Sequence, residues 1–173
     1  MRTNNNQRKV PKVYLIDDDP VVTYLLVDLV DSVNLPHVVF DSAVKFLEQD
    51  LSGLEGCIVT DLRMPGMSGL ELQEELHRRE INLPIIFISG YAEVQSVVRA
   101  MRGGALDFFQ KPFSSQHLIE RIQDGLRIDR ERAELLARNR QIGERMALLT
   151  PRERAALTMT MPNTMAPSVS MVR

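Results

Sequence analysis

A single cysteine, Cys57, stands in the sequence, so no intrachain disulfide can form. It lies in an apolar run and reads as a small buried hydrophobe, which fits a reducing compartment. Histidine is also scarce. His37, His77 and His117 are scattered over strand and helix positions, which argues against zinc and assigns them no catalytic role. No stretch approaches the roughly 18 apolar residues that cross a bilayer. The polar, basic opening MRTNNNQRKVPK is followed by no apolar signal core. A large excess of one charge is lacking too, and a net −2 excludes a body built as a nucleic-acid sponge or an acidic tail. The expectation is a soluble, cytoplasmic protein without membrane contact. With 173 residues, 44% of them apolar, the chain has room for one ordinary domain and a tail.

What is present is organised around IVTDLRMPGMSG, Ile58 to Gly69. An apolar run ends at Thr60, Asp61 stands just past it, and a loop of Met, Pro and Gly follows. This is how the carboxyl edge of a buried parallel strand reads, and ligands of open α/β sheets sit at that edge. Taken alone, Asp61 serves equally well as a loop cap or as the group that carries the chemistry.

The rest of the chain repeats the pattern. Val13 to Ile16 is an apolar run that stops at Asp17-Asp18-Asp19-Pro20. Asp19 and Pro20 suit the cap and first position of a helix, whose stripe is Val22, Leu25, Leu26, Leu29 and Val30. A second strand is predicted over His37 to Phe40, with a short helix after Asp41-Ser42. Ser68-Gly69 opens a helix with Leu70, Leu72, Leu76 and Ile81 on its apolar side. Ile85 to Ile88 is a fourth strand, ending at Ser89. A helix over Val94 to Arg102 stops at Gly103-Gly104, and a fifth strand over Leu106 to Phe109 runs into Lys111-Pro112. Five rounds of strand then helix predict an α/β fold: a doubly wound, five-stranded parallel sheet.

Asp17 and Asp18 follow the first strand, Asp61 the third, Ser89 the fourth and Lys111 the fifth. Chance placement of such groups at equivalent edges is improbable. A solvated acidic loop is the plainer reading of Asp17 and Asp18. Converging carboxylates repel unless a cation sits among them. An all-oxygen set with few protein ligands suits Mg²⁺ better than Ca²⁺. An ion, a lysine and a hydroxyl around one aspartate form a site prepared for a phosphoryl group, and the aspartate itself can accept it as an acyl phosphate.

The segments LIDDDP, IVTDLRMPGMSG, IFISGYA and DFFQKPF, in this order and at these spacings, resemble the receiver domains of bacterial two-component response regulators, the flavodoxin/CheY-like fold. The resemblance covers roughly residues 11–128. It implies that Asp61 is the phosphoacceptor, that Asp17, Asp18, Asp61 and the backbone carbonyl of Arg63 hold Mg²⁺, and that Ser89 and Lys111 contact the phosphoryl oxygens. It implies a cis Lys111-Pro112 bond. Phe108 stands at the family's switch aromatic, with plain core packing as the alternative. The donor would be a phosphohistidine on a sensor histidine kinase. The face of the fourth helix, fifth strand and fifth helix would then change and select a partner, often a second copy. The chain would be a phosphoacceptor signalling domain capable of Mg²⁺-dependent self-phosphotransfer, rather than an enzyme. A haloacid-dehalogenase-like phosphohydrolase also uses Asp, Lys and Mg²⁺, but Arg63 stands where that family expects a second Asp.

Beyond His117 the sequence stays compatible with a helix to about Leu149, interrupted by Gly125 and Gly143. Ile128, Leu135, Ile142 and Leu149 recur every seven residues among alternating charges, with Glu131, Arg138 and Arg145 at companion positions. A conditional coiled coil and a solvated single helix both fit. LLTPRERAAL, Leu148 to Leu157, resembles the opening of the LuxR-type helix-turn-helix of the FixJ/NarL class, with Thr150, Pro151 and Glu153 as its capping residues. The tail TMTMPNTMAPSVSMVR shows no recognition-helix pattern. The expected organisation is a disordered start at 1–11, a receiver at 12–128, a linker helix at 129–148, and a truncated or frameshifted helix-turn-helix start with a disordered tail at 149–173. The output is then either that of a regulator derived from a transcription factor, with DNA binding doubtful for this chain, or that of a stand-alone phosphorylated adaptor that acts on protein.

Overall fold

The computed structural model describes residues 10–91 and 93–148. The expectations placed on residues 1–9 and 149–173, including Leu149 of the heptad and the helix opening at Thr150, lie outside the described residues.

Five strands and five helices alternate: β1 (Lys12–Ile16), α1 (Pro20–Asp31), β2 (His37–Phe40), α2 (Ala43–Glu48), β3 (Gly56–Asp61), α3 (Gly69–Arg78), β4 (Ile85–Ser89), α4 (Val94–Arg102), β5 (Asp107–Gln110) and α5 (Ser115–Leu148). All strand pairings are parallel, in the order β2-β1-β3-β4-β5. The fifth strand lies one residue later than the apolar run suggested; the Leu106 amide still donates to the Ile85 carbonyl at 2.7 Å, just ahead of the first paired residues.

Alternation along the strands divides the core into two layers. Tyr14, Ile16, Ile58, Ile85 and Phe87 pack with Phe46 of α2, Leu72 and Leu76 of α3 and Ala100 of α4. Val13, Leu15, Cys57, Val59, Ile86 and Ile88 face the other way, onto Leu26 and Val30 of α1 and Leu118 and Ile122 of α5. Both strand faces are covered, which is why the central runs are continuously apolar.

Helix starts follow the local chemistry. The Asp19 side chain accepts from the Val21 amide with Pro20 at the first position, and Ser68 forms a full capping box with Glu71. Leu25, expected on the buried stripe of α1, is 60% exposed and borders a surface groove with Phe113. Gly125 and Gly143 do not interrupt α5. Gly125 is a packing glycine, since a Cβ there would lie 2.6 Å from Cys57 Sγ.

The chain divides into two compact units, Met1–Ala133 and Glu134–Arg173. Within the first, α5 covers the sheet as far as Asp129, which is buried rather than part of a solvated charge run. The described part of the second is helical to Leu148, with Leu135, Leu136 and Ile142 more than half exposed.

Candidate functional site

Strand register brings the candidate residues to one edge. Ile16 pairs with Thr60, Asp61 with Ile88, and Ser89 with Gln110. Asp17, Asp61, Ser89 and Lys111 therefore emerge within two residues of one another in register at the carboxyl ends of β1, β3, β4 and β5. The Lys111 amide donates to the Ser89 carbonyl at 2.8 Å, and the Lys111-Pro112 bond is cis.

Asp17, Asp18 and Asp61 each present a carboxylate oxygen, and these oxygens lie within 4.8 Å of one another. Asp17 is 2% exposed, Asp61 is half-buried and Asp18 is exposed. The buried member is firmly held: one Asp17 oxygen accepts from the Asp19 amide at 2.9 Å, and the other receives Lys111 Nζ at 3.2 Å. Asp17 thus has a structural task as well as a place in the trio. One Asp61 oxygen accepts from the Leu62 amide at 2.8 Å. Burial raises the Asp61 pKa from its ordinary value; Lys111 opposes this and Asp17 reinforces it. Three carboxylates with one ammonium group among them leave negative charge uncompensated. Their oxygens are hard donors, and neither His nor Cys joins the group among the described residues. This donor set fits a hard divalent cation with remaining positions filled by water.

The other candidates are placed as follows. Ser89 is buried, and its hydroxyl donates to the Tyr91 carbonyl at 3.1 Å and accepts from the Tyr91 amide at 3.4 Å. Phe108 pairs in register with Phe87 and packs, half-buried, against the α2–α3–α4 layer. The Arg63 side chain points elsewhere than into the trio. Its guanidinium donates to Glu93 at 2.8 Å and lies over the Tyr91 ring, 4.8 Å from the centroid. Sequence reasoning had no account of this contact, although Glu93 directly before the helical pattern of α4 marks a cap position. Nor did it find Asp129, whose carboxylate accepts from the Gly56 amide at 2.7 Å across 73 residues. No local pattern distinguishes that residue from its charged neighbours.

Comparison with known proteins identifies the family. Residues 13–123 match the response regulator receiver domain family. The chain is 39% identical over 145 residues to nodulation protein W of Bradyrhizobium diazoefficiens, an alignment covering 84% of this chain and 64% of that protein. It is 38% identical over 146 residues to the transcriptional regulatory protein FixJ of the same organism, covering 84% and 71%. The chain therefore spans just under two thirds of the first relative's length. Among solved structures, response regulator StyR aligns with a TM-score of 0.82 at 38% identity, over 91% of this chain and 79% of that one. FixJ-N aligns at 0.64 and 36% identity, over 69% and 96%. No described helix is long and apolar enough to cross a membrane. A parallel sheet in the order β2-β1-β3-β4-β5, an acidic trio with a lysine at its carboxyl edge, and these relatives together place the chain in the response regulator receiver domain family of two-component signalling.

Proposed function

We propose that Asp61 is the phosphoacceptor of this receiver, taking its phosphoryl group in the cytoplasm from a phosphohistidine of a sensor histidine kinase. The observation that carries this reading is the convergence of Asp17, Asp18, Asp61 and Lys111 at one sheet edge. In the step, an Asp61 oxygen forms a bond to phosphorus as the donor's P–N bond breaks. The imidazole nitrogen keeps the electron pair and takes a proton. Asp17, Asp18, Asp61 and the Arg63 carbonyl are the residues that would hold Mg²⁺. Neutralisation of the phosphoryl oxygens is what such an ion supplies when bound.

Lys111 is suited to a second task. Its ammonium already sits on Asp17, so a short shift carries it onto a phosphoryl oxygen. Ser89 has a hydroxyl at the same edge, engaged by its own turn among the described residues. Phe108, partly buried and in register with Phe87, is the proposed switch aromatic. A homodimer formed through α4, β5 and α5 is the proposed output state, in a transcriptional setting like that named for FixJ. Residues 12–128 would be the receiver and 129–148 the linker.

The test is direct. With Mg²⁺ and a small acyl phosphate, the wild-type chain gains one phosphoryl group that alkali releases, and Asp61→Asn gains none. Equal uptake by the variant would sink the assignment.

A further inference from the structure

α4 is fastened unevenly. Of its nine residues only Ala100 is fully buried, while Val94 is 79% exposed. Its carboxyl end is pinned by Gln73 of α3, itself 3% exposed, whose side-chain amide donates to the Ala100 carbonyl at 3.1 Å and the Gly103 carbonyl at 2.9 Å. Gln73 fits so closely that a Cβ on Gly103 would lie 2.5 Å from its carbonyl oxygen. An ion pair from Arg99 to Glu74 lies on the same half. Among the described residues the amino end has no buried anchor of this kind. Its cap residue, Glu93, makes no side-chain bond to the helix it precedes. The Glu93 carboxylate is taken instead by Arg63, whose guanidinium also covers Tyr91.

Arg63 lies two residues beyond Asp61, at most about 7 Å along the backbone. From that backbone position a change of rotamer can carry the flexible guanidinium from Glu93 toward the Asp61 edge. We propose that Arg63 is a positioning residue that carries the charge state of Asp61 to α4. Without phosphate it holds Glu93 and the amino end of the helix; with phosphate it turns toward the new charge, and that end is released while Gln73 keeps the other in place. This rests on Asp61 being the phosphoacceptor.

The competition favours release. An exposed guanidinium–carboxylate pair is weak. A phosphoryl group brings roughly −1.5 to −2 charge and three strong acceptors that a guanidinium can engage in pairs. The Glu93 side chain does not cap the first-turn amides of α4, so its pair with Arg63 is what ties this helix start down, and releasing that pair loosens the turn. Apolar burial does little to hold that turn, so the helix swings or frays from its amino end, with Ala100 to Gly103 as the pivot.

Amide hydrogen exchange on the full chain tests this, with and without Mg²⁺ and a small acyl phosphate, for wild type and Glu93→Gln. In the unphosphorylated state, Glu93→Gln is expected to exchange about two- to fivefold faster over residues 94–98, with residues 100–103 and α3 unchanged. Phosphorylation is expected to accelerate the same segment in wild type and to add little in the variant. Unchanged exchange in unphosphorylated Glu93→Gln would overturn the proposal, as would an equal phosphate response in both proteins. The mass of the same samples separates the two layers. A phosphoryl gain with no decoupling overturns the role of Arg63 alone, whereas no gain in wild type overturns the phosphoacceptor reading and the coupling with it.

Discussion

Two aspartates, Asp129 buried and Asp61 half-buried, sit at opposite ends of β3, and burial raises the pKa of both. Asp129 lies against the amino end. One of its oxygens accepts from the Gly56 amide at 2.7 Å, and the other pairs with Arg132. Asp61 lies at the carboxyl end, with Asp17 and Asp18 for neighbours and Lys111 shared with Asp17. The first acid is closed: each oxygen has a donor, and Asp129 is 1% exposed. The second is not closed in this way: it shares its edge with two further carboxylates and a single ammonium group. Burial alone therefore does not mark a functional carboxylate. The imbalance of its partners does.

The largest effect expected from this contrast is on phosphorylation. Asp61→Asn is expected to abolish phosphoryl uptake, while Asp129→Asn retains it, as intact mass after treatment with an acyl phosphate will read. Loss of uptake in Asp129→Asn with the fold intact would remove the distinction.

The next effect is on stability. Gly56 has φ +142°, and a Cβ there would lie 1.9 Å from the Lys12 carbonyl, so only glycine fits where Asp129 docks. Asp129→Ala leaves the Gly56 amide and Arg132 without their acceptor and is expected to cost about 1–3 kcal/mol in urea unfolding. Asp129→Asn keeps an acceptor and is expected to cost less.

Mg²⁺ is expected to stabilise the wild-type chain by about 2.7 kcal/mol at a hundredfold excess over its Kd, read as a rise in Tm. Asp18→Asn is expected to need more Mg²⁺ for the same rise. Asp129→Asn is expected to respond as wild type does, because its acid takes no part in the trio.

The smallest effect is on pH dependence. A carboxyl whose folded pKa lies above its unfolded value contributes stability that is fully present below the unfolded pKa and lost as pH rises through the folded one. Asp129 and Asp61 both have this sign. Replacing either with Asn is expected to improve stability relative to wild type as pH rises through the carboxylate range, over and above any fixed cost of the substitution. Mg²⁺ is expected to reverse the trend at Asp61 alone, because the ion favours the ionised form. Urea midpoints measured across that range will show whether the two acids part company on adding the ion.

Local sequence determined most of the fold. Continuous apolar runs such as Ile85 to Ile88 mark strands covered on both faces. Asp19-Pro20 and Ser68 with Glu71 place helix starts through short-range hydrogen bonds, and polar residues that end successive strands mark the working edge. These features depend on neighbours a few residues away, so the chain displays them in order. Tertiary structure decided the rest, because it depends on distant partners. Leu25 fits a helical stripe yet faces solvent, as only the packing of α1 on the sheet settles which part of the stripe is covered. Gly125 resembles a break in α5 until Cys57 is seen to occupy the space of its missing side chain. Arg63 reaches Glu93 from another loop, and Asp129 meets Gly56 across 73 residues. A charge in the sequence carries no record of its partner. Folding alone determines whether it is closed, like Asp129, or left open to a ligand, like Asp61.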